Sequence, residues 1–238
     1  MAAIFTLSVR QLAGSRRWWL VLGLVALPLL AAALFHAADT TASAAEYADD
    51  ITAVLVASAI LPLVILLLGT AAFGNEVSDR TLVYLTTKPV ARWRIVLPKL
   101  VAALLVGGVP VALSGALAVA IIEDGDMHGA VATGLGLLAG AAAYAAIFTW
   151  AGLATQHALV LGLVYVFIWE ATLAAYLEGV RFLSVRRYAL AVVQALDADR
   201  LATVDVTLSA AAGMAGVILV VVGFAVLAVR RLKRMDVP

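Results

Sequence analysis

Long apolar runs separated by short polar intervals dominate the pattern along the chain. Six of these runs have roughly twenty residues or more, the length that an α-helix needs to cross the ~30 Å hydrocarbon core of a bilayer. We therefore predict an all-α polytopic membrane protein with six transmembrane helices in a single domain, residues 1–238. The predicted spans are Trp18–Ala38, Ile51–Phe73, Leu100–Ile122, Gly129–Leu153, Ala158–Leu177 and Thr207–Val229.

A shorter amphipathic stretch precedes the first run. Residues 1–15 interleave large apolar residues with polar ones, which is typical of a short helix lying along the cytoplasmic membrane surface. A frayed tail fits this stretch equally well. Arg16 and Arg17 before the first run also suit a secretory signal peptide, but Trp18–Ala38 is long enough to span the membrane.

The basic residues lie mainly on one predicted side. Twelve of the sixteen lysines and arginines fall in the N-terminal segment, the polar interval 74–99 and the C-terminal end. Because cytoplasmic segments carry an excess of Lys and Arg, we predict that both termini are cytoplasmic. The other four basic residues lie in the last outer loop: Arg181, Arg186, Arg187 and Arg200.

Composition and motifs exclude several classes of function. Hydrophobic residues make up 65% of the chain and charged residues 13%, and cysteine is absent, which removes disulfides, thiolate metal sites and cysteine nucleophiles. No HExxH, GxSxG or phosphate-binding GxxxxGK[ST] motif occurs, and the three histidines lie at separate span ends. We expect no catalytic residue, no metal site and no directly bound cofactor.

The polar interval between the second and third runs is the strongest candidate for contact with a soluble partner. A helix would place Glu76 and Arg80 one turn apart, able to pair with each other or with a docked protein. Asp79 and Thr81 belong to the same candidate docking group. The alternative is a solvated loop whose positive charges only set topology.

Basic and aromatic residues beside the spans are predicted to anchor them at the lipid headgroups. They fall before the first run and before the third. The predicted anchors are Arg16, Arg17, Trp18, Arg92, Trp93, Arg94 and Lys99.

Glu170 is the one acidic residue well inside a predicted span. A carboxylate there costs several kcal/mol unless it faces the bundle, is protonated or is paired. Two interpretations remain open. Glu170 contacts a proton or substrate, or it is a structural residue that is hydrogen-bonded across helices or reaches Arg181.

The last outer loop, residues 178–206, has a helical pattern of its own. Tyr188, Val192, Val193 and Leu196 are spaced as one face of an amphipathic or partly re-entrant helix. Its acids balance its basic residues, so the loop suits a salt-bridged lid, a site for anionic headgroups or a solvated interface helix.

Small residues and prolines recur within the spans. Glycines in the fourth and sixth spans are predicted to allow close helix approach, and prolines within the first three spans are predicted to bend them. The glycines are Gly134, Gly136, Gly140, Gly213 and Gly216, and the prolines are Pro28, Pro62 and Pro110.

A family resemblance covers essentially the whole chain. The polar interval contains the pattern E-x-x-x-x-T-L-x-x-L-x-x-x-P-V-x-R-x-x-x-x-x-x-K from Glu76 to Lys99, after a basic N-terminal segment and before GLVYVFIWE in the fifth span. In these features the chain resembles the permease subunits of ATP-binding-cassette transporters of the type 2 exporter class. The family usually has glycine before the threonine of the pattern, where this chain has Arg80.

The resemblance implies a half-transporter in the cytoplasmic (inner) membrane. Two permease subunits, as a homo- or heterodimer, would work with two copies of a separate ATPase subunit that binds ATP and Mg²⁺. The interval 74–99 would carry the ATPase movement into the membrane. The alternative is an ion- or proton-coupled secondary transporter, or a membrane-embedded enzyme, centred on Glu170.

Overall fold

The computed structural model of the chain describes residues 2–14, 17–38, 43–78, 91–173, 182–202, 204, 206 and 208–234. These residues form helices, turns and short connections, and none of the described residues lies in a strand. The helices are α1 (Ala2–Ala13), α2 (Arg17–Ala37), α3 (44–78), α4 (93–122), α5 (Met127–Ala154), α6 (158–173), α7 (Val185–Leu196) and α8 (Ala210–Arg234).

Five helices in the described part are long and apolar enough to cross a membrane. They are α2, α3 up to Gly74, α4, α5 and α8, whereas the apolar part of α6, Ala158–Glu170, is shorter. The all-helical, multi-pass architecture is confirmed. Residues 174–177 of the predicted fifth span lie outside the described residues, so the count of six spans stays a prediction.

Helices α3 and α4 extend beyond the predicted spans. Helix α3 continues to Ser78 and α4 begins at Trp93, so the predicted loop 74–99 is helical at both ends. Hydropathy identifies only the part of a helix that is long enough to cross the lipid. Both helices continue past that part, and Val77, Ile95 and Val96 there pack into an apolar cluster. The segment that connects the described helices α3 and α4 therefore lies between Ser78 and Trp93.

Two prolines follow stretches of wide, π-helical turns. Helix α3 consists of Ala44–Asp50, the π-helical stretch Ile51–Ile60 and Leu61–Ser78, which contains Pro62. Helix α4 has the same order: Trp93–Ala103, the π-helical stretch Leu104–Gly108, then Val109–Ile122 with Pro110. Within a helix, a proline ring clashes with the carbonyl four residues earlier. For Pro62 and Pro110 that carbonyl lies in the π-helical stretch. Such wide turns interrupt the regular hydrogen-bonding pattern and accompany bends in helices.

Helix α5 lies at the centre of the bundle and packs against α3, α4, α7 and α8. Its glycines provide the close approaches. A Cβ at Gly136 would lie 2.9 Å from the Ala189 carbonyl oxygen of α7. A Cβ at Gly152 would lie 2.5 Å from the Thr70 carbonyl oxygen of α3. The predicted role of Gly136 and Gly140 in close packing is confirmed, since both face α7.

Helix α7 is the predicted amphipathic helix, but it is not a solvated one. It packs between α5 and α8, and Val192 and Val193 are buried, whereas Leu196 is exposed. Its first turn lies beside Glu170, roughly 18 Å along α6 from Ala158 at ~1.5 Å per residue. Helix α7 therefore starts within the bundle and runs to one end of it, as a re-entrant helix does.

The bundle has two distinct ends. At the first, which we call the Lys99 end, Ile4 of α1, Phe73 of α3, Ile95 of α4 and Leu232 of α8 meet in one apolar cluster. The opposite, Arg200 end holds the start of α3, the end of α4 and the residues after α7. The N-terminal helix and the C-terminal end of α8 thus share an end. Helix α1 packs on α4, and its predicted position on a membrane surface stays a prediction.

Candidate coupling site

One member of the predicted docking group, Glu76, lies at the Lys99 end. Asp79, Arg80 and Thr81, and with them the predicted Glu76–Arg80 pair, lie outside the described residues. Glu76 is described, in the last turn of α3. It is therefore the one member of the predicted docking group within the described part of the chain.

Lys99 joins the two helices that flank the connection. Its Nζ donates to Glu76 Oε1 at 2.7 Å, and the side chain is 2% exposed. The same ammonium donates to the Ala72 carbonyl oxygen and lies 4.6 Å from the centroid of the Phe73 ring. Ala72 and Glu76 are four residues apart and so share one face of α3. One buried cation of α4 thus holds three groups of α3.

Glu76 is only partly satisfied by this contact. Its side chain is 15% exposed, and Oε2 is buried with no hydrogen-bond partner among the described residues. A buried acceptor without a donor is costly. The Lys99 contact therefore satisfies only one of the two Glu76 carboxylate oxygens.

The predicted anchor Lys99 is placed differently from expectation. It points into the bundle, not to the lipid-facing surface, because its long side chain finds a carboxylate and a carbonyl on α3. Trp18 is also partly buried against the main core. Arg17, Trp93 and Arg94 are exposed, as interfacial residues are.

Trp93 and Arg94 form a local pair at the start of α4. The Arg94 guanidinium lies 5.4 Å from the Trp93 ring centroid, the distance of a cation–π contact. Arg92 precedes the helix as its N-terminal flanking residue, and Arg16 lies outside the described residues. Anchoring at headgroups stays a prediction for these residues.

Glu170 is enclosed by protein donors and is 2% exposed. Its Oε1 accepts from the Tyr165 hydroxyl at 2.9 Å and from the Val185 N–H at 2.9 Å, and Oε2 accepts from the Ser184 hydroxyl at 2.6 Å. The π-helical stretch Tyr165–Leu173 places residues five apart on one face, which brings Tyr165 to Glu170. Arg181, a predicted partner, lies outside the described residues.

The Glu170 carboxylate lies at the N-terminus of α7. Ser184 is the N-cap of this helix and its hydroxyl accepts from the Arg187 N–H at 3.3 Å while donating to Glu170. A negative charge at a helix N-terminus meets unpaired N–H groups and the positive end of the helix dipole. Glu170 thus joins α6 to the N-cap and the first residue of the re-entrant helix.

At the opposite end, Arg200 joins three segments of the chain. It is 4% exposed, its Nη2 lies 3.2 Å from Asp49 Oδ1, and its Nη1 pairs with Glu123 Oε1. Asp49 belongs to α3 and Glu123 follows α4. Burial raises the pKa of the Glu123 carboxyl, and the nearby Arg200 guanidinium opposes that rise.

The Arg200 contacts differ from the predicted balance of charge within the outer loop. The acidic partners of the Arg200 side chain among the described residues are Asp49 on α3 and Glu123 after α4. The loop acid Asp197 pairs with His128, with 3.1 Å between His128 Nδ1 and Asp197 Oδ2, and the loop acids Glu178 and Asp205 lie outside the described residues. Sequence reasoning missed Asp49 and Glu123, whose one signal was their position at the ends of adjacent apolar runs.

No group of three or more His, Asp or Glu side chains within the described ranges is arranged to hold a metal ion. The contacts of Lys99, Glu170 and Arg200 each join different helices or segments of the bundle.

The comparison with protein families decides the class of protein. A family model for ABC-2 family transporter proteins matches residues 15–177, which is more than half of the chain. The chain belongs to the ABC-2 transporter family. The match includes Glu76, Lys99 and Glu170, and α7 and α8 follow it. No curated protein matches this ABC-2 chain.

Proposed function

We propose that this ABC-2 chain is the membrane-spanning permease subunit of an ATP-driven exporter. A separate ATPase subunit would dock on the segment 74–99, and its movement would be carried into the bundle. The observation that supports this proposal most directly is the buried Lys99–Glu76 contact, which joins the two helices on either side of the connection.

The Lys99–Glu76 contact suits a pair of helix ends that transmits force from a docked subunit. A push on the connection would otherwise separate the end of α3 from the start of α4. Because Lys99 Nζ holds Glu76 and the Ala72 carbonyl at the same time, the two helix ends move together. Such a buried pair resists separation, since removing either partner leaves an uncompensated charge.

The π-helical stretches provide places where this movement can become bending. Ile51–Ile60 and Leu104–Gly108 both lie between the two ends of the bundle, and each precedes a proline. π-Helical turns within α-helices occur frequently at functional sites, and they are places where helices bend. A shift of the joined helix ends would bend α3 and α4 there and reach Asp49 and Glu123 at the Arg200 end.

Orientation follows from the charges. We place the Lys99 end, with both termini, in the cytoplasm, because the basic residues of the C-terminal end of α8 and of the segment 74–99 meet there. Six spans, with α6 as the fifth, satisfy this orientation in a multi-pass protein of the cytoplasmic (inner) membrane.

The assembly we propose has two permease subunits and two ATPase subunits. ABC-2 membrane proteins generally work with ATPase subunits. ATP and Mg²⁺ would be bound by those subunits, and the permease would perform no chemistry and hold no cofactor. A carrier centred on Glu170 is disfavoured, because three protein donors already occupy both oxygens of that carboxylate.

Purification of the full-length chain in mild detergent, with mass spectrometry of co-purifying proteins, tests the proposal. We expect an ATPase subunit in stoichiometric amount. The double variant Asp79→Arg/Arg80→Glu should lose that subunit, or retain it with ATP hydrolysis that no longer responds to the permease, because reversed charges repel a complementary docking surface.

The control is Glu46→Arg, which reverses an exposed charge in α3 near the Arg200 end. It should retain the ATPase subunit as the parent chain does. Absence of any ATPase from an intact complex, or equal behaviour of the two variants, would overturn the proposal and favour the carrier.

A further inference from the structure

A groove runs down the outside of the bundle between α4 and α8, at the Lys99 end. Its volume is about 540 Å³, within the range of ligand pockets in proteins. Trp93, Leu97, Val222 and Val226 line it, and Arg230 and Lys233 stand at its mouth. The walls are apolar and the mouth is basic.

The residues of α8 in this groove form one continuous face. Val222, Val226, Arg230 and Lys233 are three or four residues apart, so they follow each other along one side of the helix. The distance along the axis from Val222 to Arg230 is roughly 12 Å at ~1.5 Å per residue. The face thus changes from apolar to cationic over a length that several methylene groups of an acyl chain would cover.

Both kinds of surface are available to a ligand. Trp93, Leu97 and Val222 are about half exposed, and Arg230 and Lys233 are exposed. No acidic residue lines the groove among the described residues. Within the described part of the chain, the two cations therefore face no acidic lining residue across the groove mouth.

We propose that this groove binds one anionic phospholipid. The phosphate lies against Arg230 and Lys233, and an acyl chain follows Val222, Val226 and Leu97 into the bundle surface. Trp93 lies at headgroup level, as indole rings do at membrane interfaces, with Arg94 stacked on its ring. Basic clusters beside a span attract anionic lipids of the cytoplasmic leaflet.

A lipid in this place would act on the coupling site. It would bridge α8 to the first turns of α4, and α4 begins directly after the proposed docking segment and carries Lys99. The inference goes beyond the proposed export function, since the groove and its charges exist whether or not an ATPase docks.

Native mass spectrometry of the purified full-length chain tests the site, with phosphatidylglycerol and phosphatidylcholine of identical acyl chains as probes. The parent chain should retain phosphatidylglycerol in preference to phosphatidylcholine. The double variant Arg230→Gln/Lys233→Gln should lose affinity for phosphatidylglycerol on the order of ten-fold, because each basic residue near the surface contributes to anionic-lipid binding.

The matched control is Arg10→Gln/Arg231→Gln, which removes the same charge from two exposed residues outside the groove lining at the same end of the bundle. It should keep affinity within about two-fold of the parent chain, because neither residue lines the groove. Equal losses in the two double variants would overturn the proposal, and so would equal retention of the two lipids.

A second variant keeps both charges and fills the groove. Ala225→Trp adds a large side chain to the lining and should abolish retention of phosphatidylglycerol. Unchanged retention in this variant would overturn the site. A concentration-dependent dimer that Ala225→Trp abolishes would make a second copy of the chain the occupant, and would equally overturn the proposal.

Discussion

Lys99 combines three favourable contacts at one buried position. A lysine ammonium has three donors and no acceptor, and here it meets a carboxylate, a backbone carbonyl and the face of an aromatic ring. Burial of the charge is compensated only while these partners stay in place. The residue therefore reports directly on the alignment of α3 with α4.

We expect Lys99→Met to destabilise the chain by about 3–5 kcal/mol, because the Glu76 carboxylate is then buried without a partner. The double variant Glu76→Gln/Lys99→Met should recover most of this loss, since no uncompensated charge remains. Thermal unfolding in detergent measures both changes. A single variant as stable as the parent chain would contradict the buried pair.

Glu170 has a different environment from Lys99 although both are buried charges. Its contacts are hydrogen bonds from one hydroxyl of α6, one hydroxyl of the N-cap and one backbone N–H. The Glu170 carboxylate therefore meets hydroxyl and backbone N–H donors at a helix terminus, whereas the Lys99 ammonium meets an acidic side chain.

At the scale of elements, the position of α7 depends on glycines in α5, which carry no side chain. A Cβ at Gly136 would lie 2.3 Å from Val193 Cγ2 and 3.0 Å from the Val193 backbone nitrogen. Backbone atoms cannot move aside as a flexible side chain can. Glycine at this position lets α7 lie directly on α5.

Gly136→Ala should therefore destabilise the bundle by about 1–3 kcal/mol, the usual cost of overpacking. The matched control is Gly23→Ala in α2, where a Cβ would meet nothing within 4 Å. That change should be neutral or stabilising, since alanine favours helix over glycine by roughly 0.5–1 kcal/mol. Thermal unfolding of the two variants side by side checks this prediction, and equal effects would contradict it.

Across the whole molecule, α3 and α4 are joined at both ends. Lys99 and Glu76 hold them at one end, and Arg200 holds Asp49 and Glu123 at the other. Between these contacts lie the π-helical stretches of both helices. Helices α3 and α4 are thus held together at both ends, and between those ends the α-helical pattern of each is interrupted by π-helical turns.

Arg200→Gln should release the far end of this pair, because the neutral amide cannot pair with two carboxylates. The chain has no cysteine, so spin labels on Glu46→Cys in α3 and Ile121→Cys in α4 report their separation without background. We expect a broader distance distribution in the variant. Arg234→Gln, at the other end of the bundle, should leave the distribution unchanged, and an unchanged distribution in both would contradict the contact.

The sequence predicted the helices better than the contacts between them. Apolar runs give the spans because hydrophobic length is a local property, and the spacing of Val192 and Val193 likewise predicted α7. For Glu76 the sequence predicts pairing with Arg80, one helical turn away, or with a docked protein. Lys99, 23 residues distant, and the Arg200 contact with Glu123, 77 residues distant, depend on helix packing that no local pattern contains.

The position of α7 has a consequence for biogenesis. Its polar face carries Arg186, Arg187 and Gln194, so the translocon would not release it into lipid as a span of its own. It packs between α5 and α8, and α8 is synthesised after α7. The packing around α7 is therefore complete only once α8 has entered the membrane, which makes insertion of α8 a checkpoint for assembly of the Arg200 half of the bundle.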